Sequence, residues 1–219
     1  MAPAPAAPHR TALVAGATGL VGREILAGLL ADPGVRSVHA LVRRALPLQH
    51  PKLEQVRVDF AALPPLPAVD EVYLALGTTI KAAGSQEAFR AVDYEANLAV
   101  ARAARTHGAM KLGVVSAMGA DARSRIFYNR VKGELEQALL QLGFGTVVIA
   151  RPSFLVGDRR ALGQPERPGE QVALRASRWL APLIPANLRS IDARLVARAL
   201  LTQVPRVQGP HVLLSGQMH

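Results

Sequence analysis

The chain has 219 residues, 50% of them hydrophobic, and a formal net charge of +10 at neutral pH. That length suits one domain with a full core, and no apolar run reaches the roughly 18 residues that a membrane-spanning helix needs. Cysteine is absent, which excludes disulfides, thiolate metal ligands and a cysteine nucleophile. The six histidines (9, 39, 50, 107, 211 and 219) show no ligand-like spacing, so no metal is expected. The arginines are spread along the chain and only 4% of residues are aromatic. The positive charge therefore reads as a solvated basic surface and speaks against a nucleic-acid partner. Residues 1–9 are rich in Pro and Ala without an apolar centre, and read as a disordered tail with no signal peptide. A cytoplasmic protein is the expectation from these features.

In chain order, the apolar residues 12–15 read as a buried strand. Gly16, Gly19 and Gly22 follow, and then Ile25, Leu26, Leu29 and Leu30 recur at helical spacing. Strand, glycine turn and helix in this order build a dinucleotide site. Gly16 allows the sharp turn, Gly19 lets a pyrophosphate approach the backbone, and Gly22 lets the helix pack close. The first N–H groups of that helix, around Leu20 and Val21, then face the phosphates with the positive end of the helix dipole.

Residues 38–42 read as the second strand, ending in Arg43 and Arg44. That strand end meets the adenosine ribose, where an acidic residue favours NAD and arginine accommodates the 2′-phosphate of NADP. NADP(H) is therefore expected in preference to NAD(H). Residues 56–60 form a short alternating strand that brings Asp59 and Phe60 towards the adenine. Residues 71–79 form a fourth strand running into Leu76, Gly77, Thr78 and Thr79, at the carboxyl end where parallel sheets bind ligands. A helix is expected over 86–107 and a fifth strand over 111–116, ending at Ser116.

Tyr128 and Lys132 stand four residues apart and share one face of the next helix. A neighbouring ammonium favours the phenolate of a tyrosine, which makes the pair usable for acid/base work. Residues 146–150 form a sixth strand leading to Arg151, Pro152 and Ser153. Helices are expected over 172–180, with Trp179, and over 191–200, and a last short strand over 212–214. Lys81, Phe154, Arg159 and Trp179 are candidates for the substrate side by position alone. Strands alternating with helices give an α/β fold, a doubly wound parallel sheet with helices on both faces.

The motifs Gly16-Ala-Thr-Gly-Leu-Val-Gly22, Val58-Asp59-Phe60, Leu76-Gly77-Thr78-Thr79, Val92-Asp93-Tyr94, Ser116, Tyr128-x-x-x-Lys132-Gly133-Glu134 and Arg151-Pro152 together resemble the atypical and extended short-chain dehydrogenases/reductases, in particular their Tat-interacting oxidoreductase-like branch. The resemblance implies a Rossmann domain over residues 10–219, whose part after about residue 155 contributes a small substrate lobe. It carries Gly16, Thr18, Gly19 and Gly22 to the pyrophosphate and Arg43 and Arg44 to the 2′-phosphate. Tyr128 and Lys132 go to catalysis and the nicotinamide ribose, Ser116 to the substrate oxygen, and the segment from Arg151 to Ser153 to the nicotinamide. Many relatives have a second serine where this chain has Ala117. The activity implied is hydride transfer between NADP(H) and a small carbonyl or alcohol. The alternatives are a non-catalytic NADPH-sensing protein and an NAD-dependent epimerase or dehydratase.

Overall fold

The computed structural model describes residues 9–156 and 185–219. Most of the expected tail, Arg159, Trp179 and the expected helix over 172–180 lie outside the described residues.

Seven parallel strands form one sheet in the order β3-β2-β1-β4-β5-β6-β9. They are β1 (Arg10–Ala15), β2 (Val35–Val42), β3 (Leu53–Arg57), β4 (Glu71–Leu74), β5 (Lys111–Val115), β6 (Thr146–Arg151) and β9 (Gly209–Leu214). Two further short strands, β7 (Leu155–Val156) and β8 (Ile191–Asp192), pair with each other. This is the expected doubly wound architecture. Its strand order reverses between β1 and β4, and the crevice above their carboxyl ends is where such sheets hold ligands.

Both faces of the sheet are covered, so its strands read as continuous apolar runs. Ala12 and Val14 of β1 face one core, Leu13 and Ala15 the other. The first core is closed by α1 (Leu20–Ala31) and α6 (Ala193–Gln203), through Ile25, Leu29, Val196 and Leu200. The second is closed by α4 (Asn97–Thr106) and α5 (Phe127–Leu140), through Val100, Leu135 and Leu139. Two short helices, α2 (Ile80–Ala83) and α3 (Gln86–Arg90), precede α4.

Several expected boundaries move, three of them near the site. The third strand is residues 53–57 and not 56–60, because its register with β2 runs from Val38↔Leu53 to Val42↔Arg57. Asp59 and Phe60 lie beyond it, where the Asp59 carboxylate accepts from Ala61 N–H at 3.0 Å and turns the chain. The fourth strand stops at Leu74, so residues 75–79 are irregular. The long helix expected over 86–107 contains a π turn, Ala91–Ala96, between α3 and α4.

The amino ends of β1 and β4, away from the crevice, carry a buried charge cluster. Arg10 Nε lies 3.2 Å from Glu71 Oε2, which also accepts from the Tyr73 hydroxyl at 2.9 Å. Arg10 also pairs with Asp32. Burial pushes the Glu71 carboxyl above its ordinary value, outweighing the pull of Arg10. A carboxyl raised on folding contributes stability at low pH that is lost as pH rises through its folded value. Urea unfolding of Glu71→Gln should accordingly show a shallower fall in stability from about pH 4 towards neutrality than the parent chain. Parallel pH curves for the two proteins would refute this role of Glu71.

Candidate cofactor and active site

The glycine turn is built by absences. Gly16 has φ +94°, and a Cβ there would lie 2.4 Å from the Ala75 carbonyl at the exit of β4. A Cβ at Gly22 would lie 2.0 Å from Gly16 O. Both positions exclude a side chain, one to let β4 approach and one to let α1 start against the turn. Gly19 N–H donates to Gly16 O at 2.9 Å and closes the turn. Gly19 is the N-cap of α1, with no side-chain cap and no acidic residue in the first turn. The N–H groups of Leu20, Val21 and Gly22 thus start a helix whose positive end faces the crevice, with exposed Thr18 beside it.

Residues 75–79 run alongside. Side chains hold their backbone at two points, Leu76 O accepting from Asn97 Nδ2 at 3.1 Å and Thr78 N–H donating to Asp93 Oδ2 at 2.8 Å, and Thr79 Oγ1 caps α2 by accepting from Ala82 N–H at 3.1 Å. Asn97 Nδ2 also reaches the carbonyls of Val92 and Asp93, at 3.2 Å each, across the π turn. The other oxygen of Asp93 lies 2.7 Å from Lys132 Nζ. Both members of this ion pair are buried, Asp93 at 1% and Lys132 at 4% exposure. A Cβ on exposed Gly77 would come within 3.5 Å of Asp93 Oδ1 and 4.0 Å of Lys132 Nζ. The pair therefore borders the same strand exit that Gly16 touches from the other side.

Tyr128 lies one turn before Lys132 on α5, half-buried, with its ring 5.5 Å from that of Phe89 at 46°. Among the described residues its hydroxyl has no hydrogen-bond partner. The loop before α5 crosses the helix at Gly133, where a Cβ would meet Ala122 N at 2.2 Å. This close crossing explains the glycine after Lys132 and fixes the helix that carries both residues.

The Ser116 hydroxyl donates to Glu136, and the Arg151 guanidinium holds the same carboxylate through Nε at 3.0 Å and Nη2 at 2.5 Å. Glu136 stands two turns beyond Tyr128 on α5. This network ties β5 and β6 to α5. The next residue, Ala117, is buried and has no hydroxyl to take its place. The segment expected over the nicotinamide is likewise engaged internally. Arg151 is held by Glu136, Pro152 O accepts from Met118 N–H at 2.9 Å, and Ser153 Oγ donates to Arg189 O and accepts from Ser215 Oγ at 3.0 Å.

Arg43 and Arg44 follow β2 directly, both exposed, and no hydrogen bond or ion pair holds either among the described residues. Asp59 is exposed and occupied with its own turn, while Phe60 packs on the second core. Phe154 and Lys81 are exposed. Among the described residues no group of His, Asp and Glu could hold a metal ion.

The sequence profile of the NAD(P)H-binding family matches residues 16–153, from the first glycine of the turn to the end of the segment after β6. The chain belongs to that family. Among curated relatives it is 41% identical to the mitochondrial protein FMP52 of Eremothecium gossypii over 68% of this chain and 67% of that one. The Candida albicans FMP52 is 33% identical over 86% and 85%. Solved structures share the fold. MoeE5 in complex with UDP-glucose and NAD superposes with TM-score 0.69 at 18% identity, over 93% of this chain and 75% of that one. A short-chain dehydrogenase family protein from Francisella tularensis gives 0.67 at 13% identity, over 95% and 98%. The FMP52 relatives are named mitochondrial, which overturns the cytoplasmic expectation drawn from composition.

Asp93 enters the sequence reading only within the Val92-Asp93-Tyr94 motif, and neither it nor Asn97 has a role assigned there. The signal was present. Phe89, Asp93, Ala96, Asn97 and Val100 fall on one inward face, and two polar residues on a core stripe need partners. If Ser116 is structural, Ser116→Ala should lower unfolding stability by about 1–2 kcal/mol and leave NADPH affinity unchanged. Chemical denaturation and a fluorescence titration check both halves of that expectation.

Proposed function

We propose that this chain is an NADP(H)-dependent oxidoreductase that passes a hydride between the nicotinamide and a small carbonyl or alcohol. The observation that carries this reading is the Lys132 ammonium. It is buried, one turn from Tyr128, and borders Gly77 at the strand exit that Gly16 touches from the other side. The glycine turn and the tyrosine helix therefore serve one groove.

In that groove the N–H groups at the start of α1 bind the pyrophosphate. Arg43 and Arg44, exposed beside the end of β2, grip a 2′-phosphate with guanidinium forks. Lys132, held 2.7 Å from its Asp93 counter-ion, offers its donors to the ribose hydroxyls. Tyr128 gives or takes the proton at the substrate oxygen. The nicotinamide, when bound, supplies or accepts the hydride. Residues 10–219 act as one nucleotide-binding domain, and the chain from about residue 155 supplies the substrate side.

A second reading, binding of NADPH without turnover, is favoured by one observation. The hydroxyl of Ser116 is engaged with Glu136, and Ala117 offers none. Assaying NADPH oxidation against a panel of small aldehydes and ketones separates the two, since tight binding with no turnover on any carbonyl supports the second.

With a carbonyl that turns over, Tyr128→Phe should lower kcat at least 100-fold, roughly the scale of general acid catalysis, with NADPH affinity within about twofold. Retained turnover would remove Tyr128 from the mechanism. Replacing Arg43 and Arg44 together by Ala should weaken NADPH about 10- to 100-fold and leave NADH unchanged. A parent chain that binds NADH as tightly as NADPH would overturn the cofactor preference.

A further inference from the structure

We infer that Asp93 is the positioning residue of the nicotinamide-ribose end of the site, acting through Lys132. The inference rests on the cofactor reading above and adds a residue to it.

The argument starts from the cost of burying charge. An ammonium at 4% exposure without a counter-ion is expensive. Asp93 supplies that counter-ion at 2.7 Å. Its second oxygen accepts from Thr78 N–H at 2.8 Å, so one carboxylate fixes both the lysine on α5 and the strand exit after β4. Those are the two surfaces between which a ribose must fit.

The carboxylate is itself fixed. It stands in the π turn Ala91–Ala96, where the backbone departs from regular α spacing, and such turns concentrate at functional sites. Asn97 Nδ2 ties the carbonyls of Val92 and Asp93 to that of Leu76, so the turn cannot slide along the strand exit. Gly77 lies directly over the pair, since a Cβ there would come within 3.5 Å of Asp93 Oδ1 and 4.0 Å of Lys132 Nζ. Both side chains are buried, so the cation is held at one fixed point beneath the strand exit.

The test compares two ligands of the full-length chain. NADPH spans the whole groove, whereas ADP reaches only its adenosine and pyrophosphate end. Asp93→Asn, Lys132→Gln and the double variant are titrated with each by calorimetry. Asp93→Asn and Lys132→Gln should each weaken NADPH roughly tenfold or more, the scale of a lost charge-assisted hydrogen bond. The double variant should bind no worse than Lys132→Gln alone, and ADP affinity should stay within about twofold throughout. A merely structural Asp93 would weaken ADP in step with NADPH, and that result overturns the inference. So does wild-type NADPH affinity in Asp93→Asn, or a loss in the double variant that adds to that of Lys132→Gln. Should Asp93→Asn not fold, the double variant, which strands no charge, decides alone, and NADPH binding at the parental level refutes the inference. A parent chain that binds ADP but not NADPH would instead overturn the cofactor reading itself.

Discussion

The site depends on one close approach, that of the turn after β1 to the exit of β4. There is no room for a Cβ between Gly16 and the Ala75 carbonyl. The floor of the crevice is therefore backbone, and the chemistry must be delivered from its two walls. One wall is the start of α1, with partial positive charge from aligned peptide dipoles. The other is α5, with the full positive charge of Lys132. The NAD(P)H-binding family to which the chain belongs takes a ligand of this elongated, phosphate-bearing kind.

Polar groups inside this protein fall into two sets with different purposes. The set around Glu136 joins α5 to β5 and β6 through Ser116 and Arg151, whose guanidinium is partly exposed. The set around Asp93 is more deeply buried and lies beneath Gly77 at the strand exit. Buried ion pairs are seldom the best way to stabilise a core, since apolar residues of similar volume serve as well or better. Ser116 is the expected residue type at the end of the expected strand, and its hydroxyl is held by Glu136.

Much of the fold was legible because period and punctuation agree. The apolar run before Gly16, the spacing of Ile25 and Leu29, and the alternation of apolar strands with helical stretches placed the main elements. The boundaries that moved did so for tertiary reasons. Pairing of Val38 with Leu53 pulled β3 earlier than its own alternation suggests, and an Asp59 turn ended it. Tyr128 and Lys132 were legible from spacing and context. Asp93 and Asn97 were not assigned a role, because their partners are carbonyls and an ammonium brought near by the fold across long stretches of chain. Localisation was the clear failure. Composition carries no address, and the FMP52 relatives, named mitochondrial, contradict the one drawn from it.

The first turn of α1 has a further consequence. A serine, threonine or aspartate at its N-cap would satisfy the exposed N–H groups, and replacing such a cap typically costs about 1 kcal/mol. The chain has Gly19 there and no acidic residue behind it. It leaves that end of the helix for a phosphate to complete, so the bound nucleotide becomes part of the architecture. Resistance to heat and to proteases then rises and falls with the nucleotide pool around the protein, and empty copies are the first to be cleared.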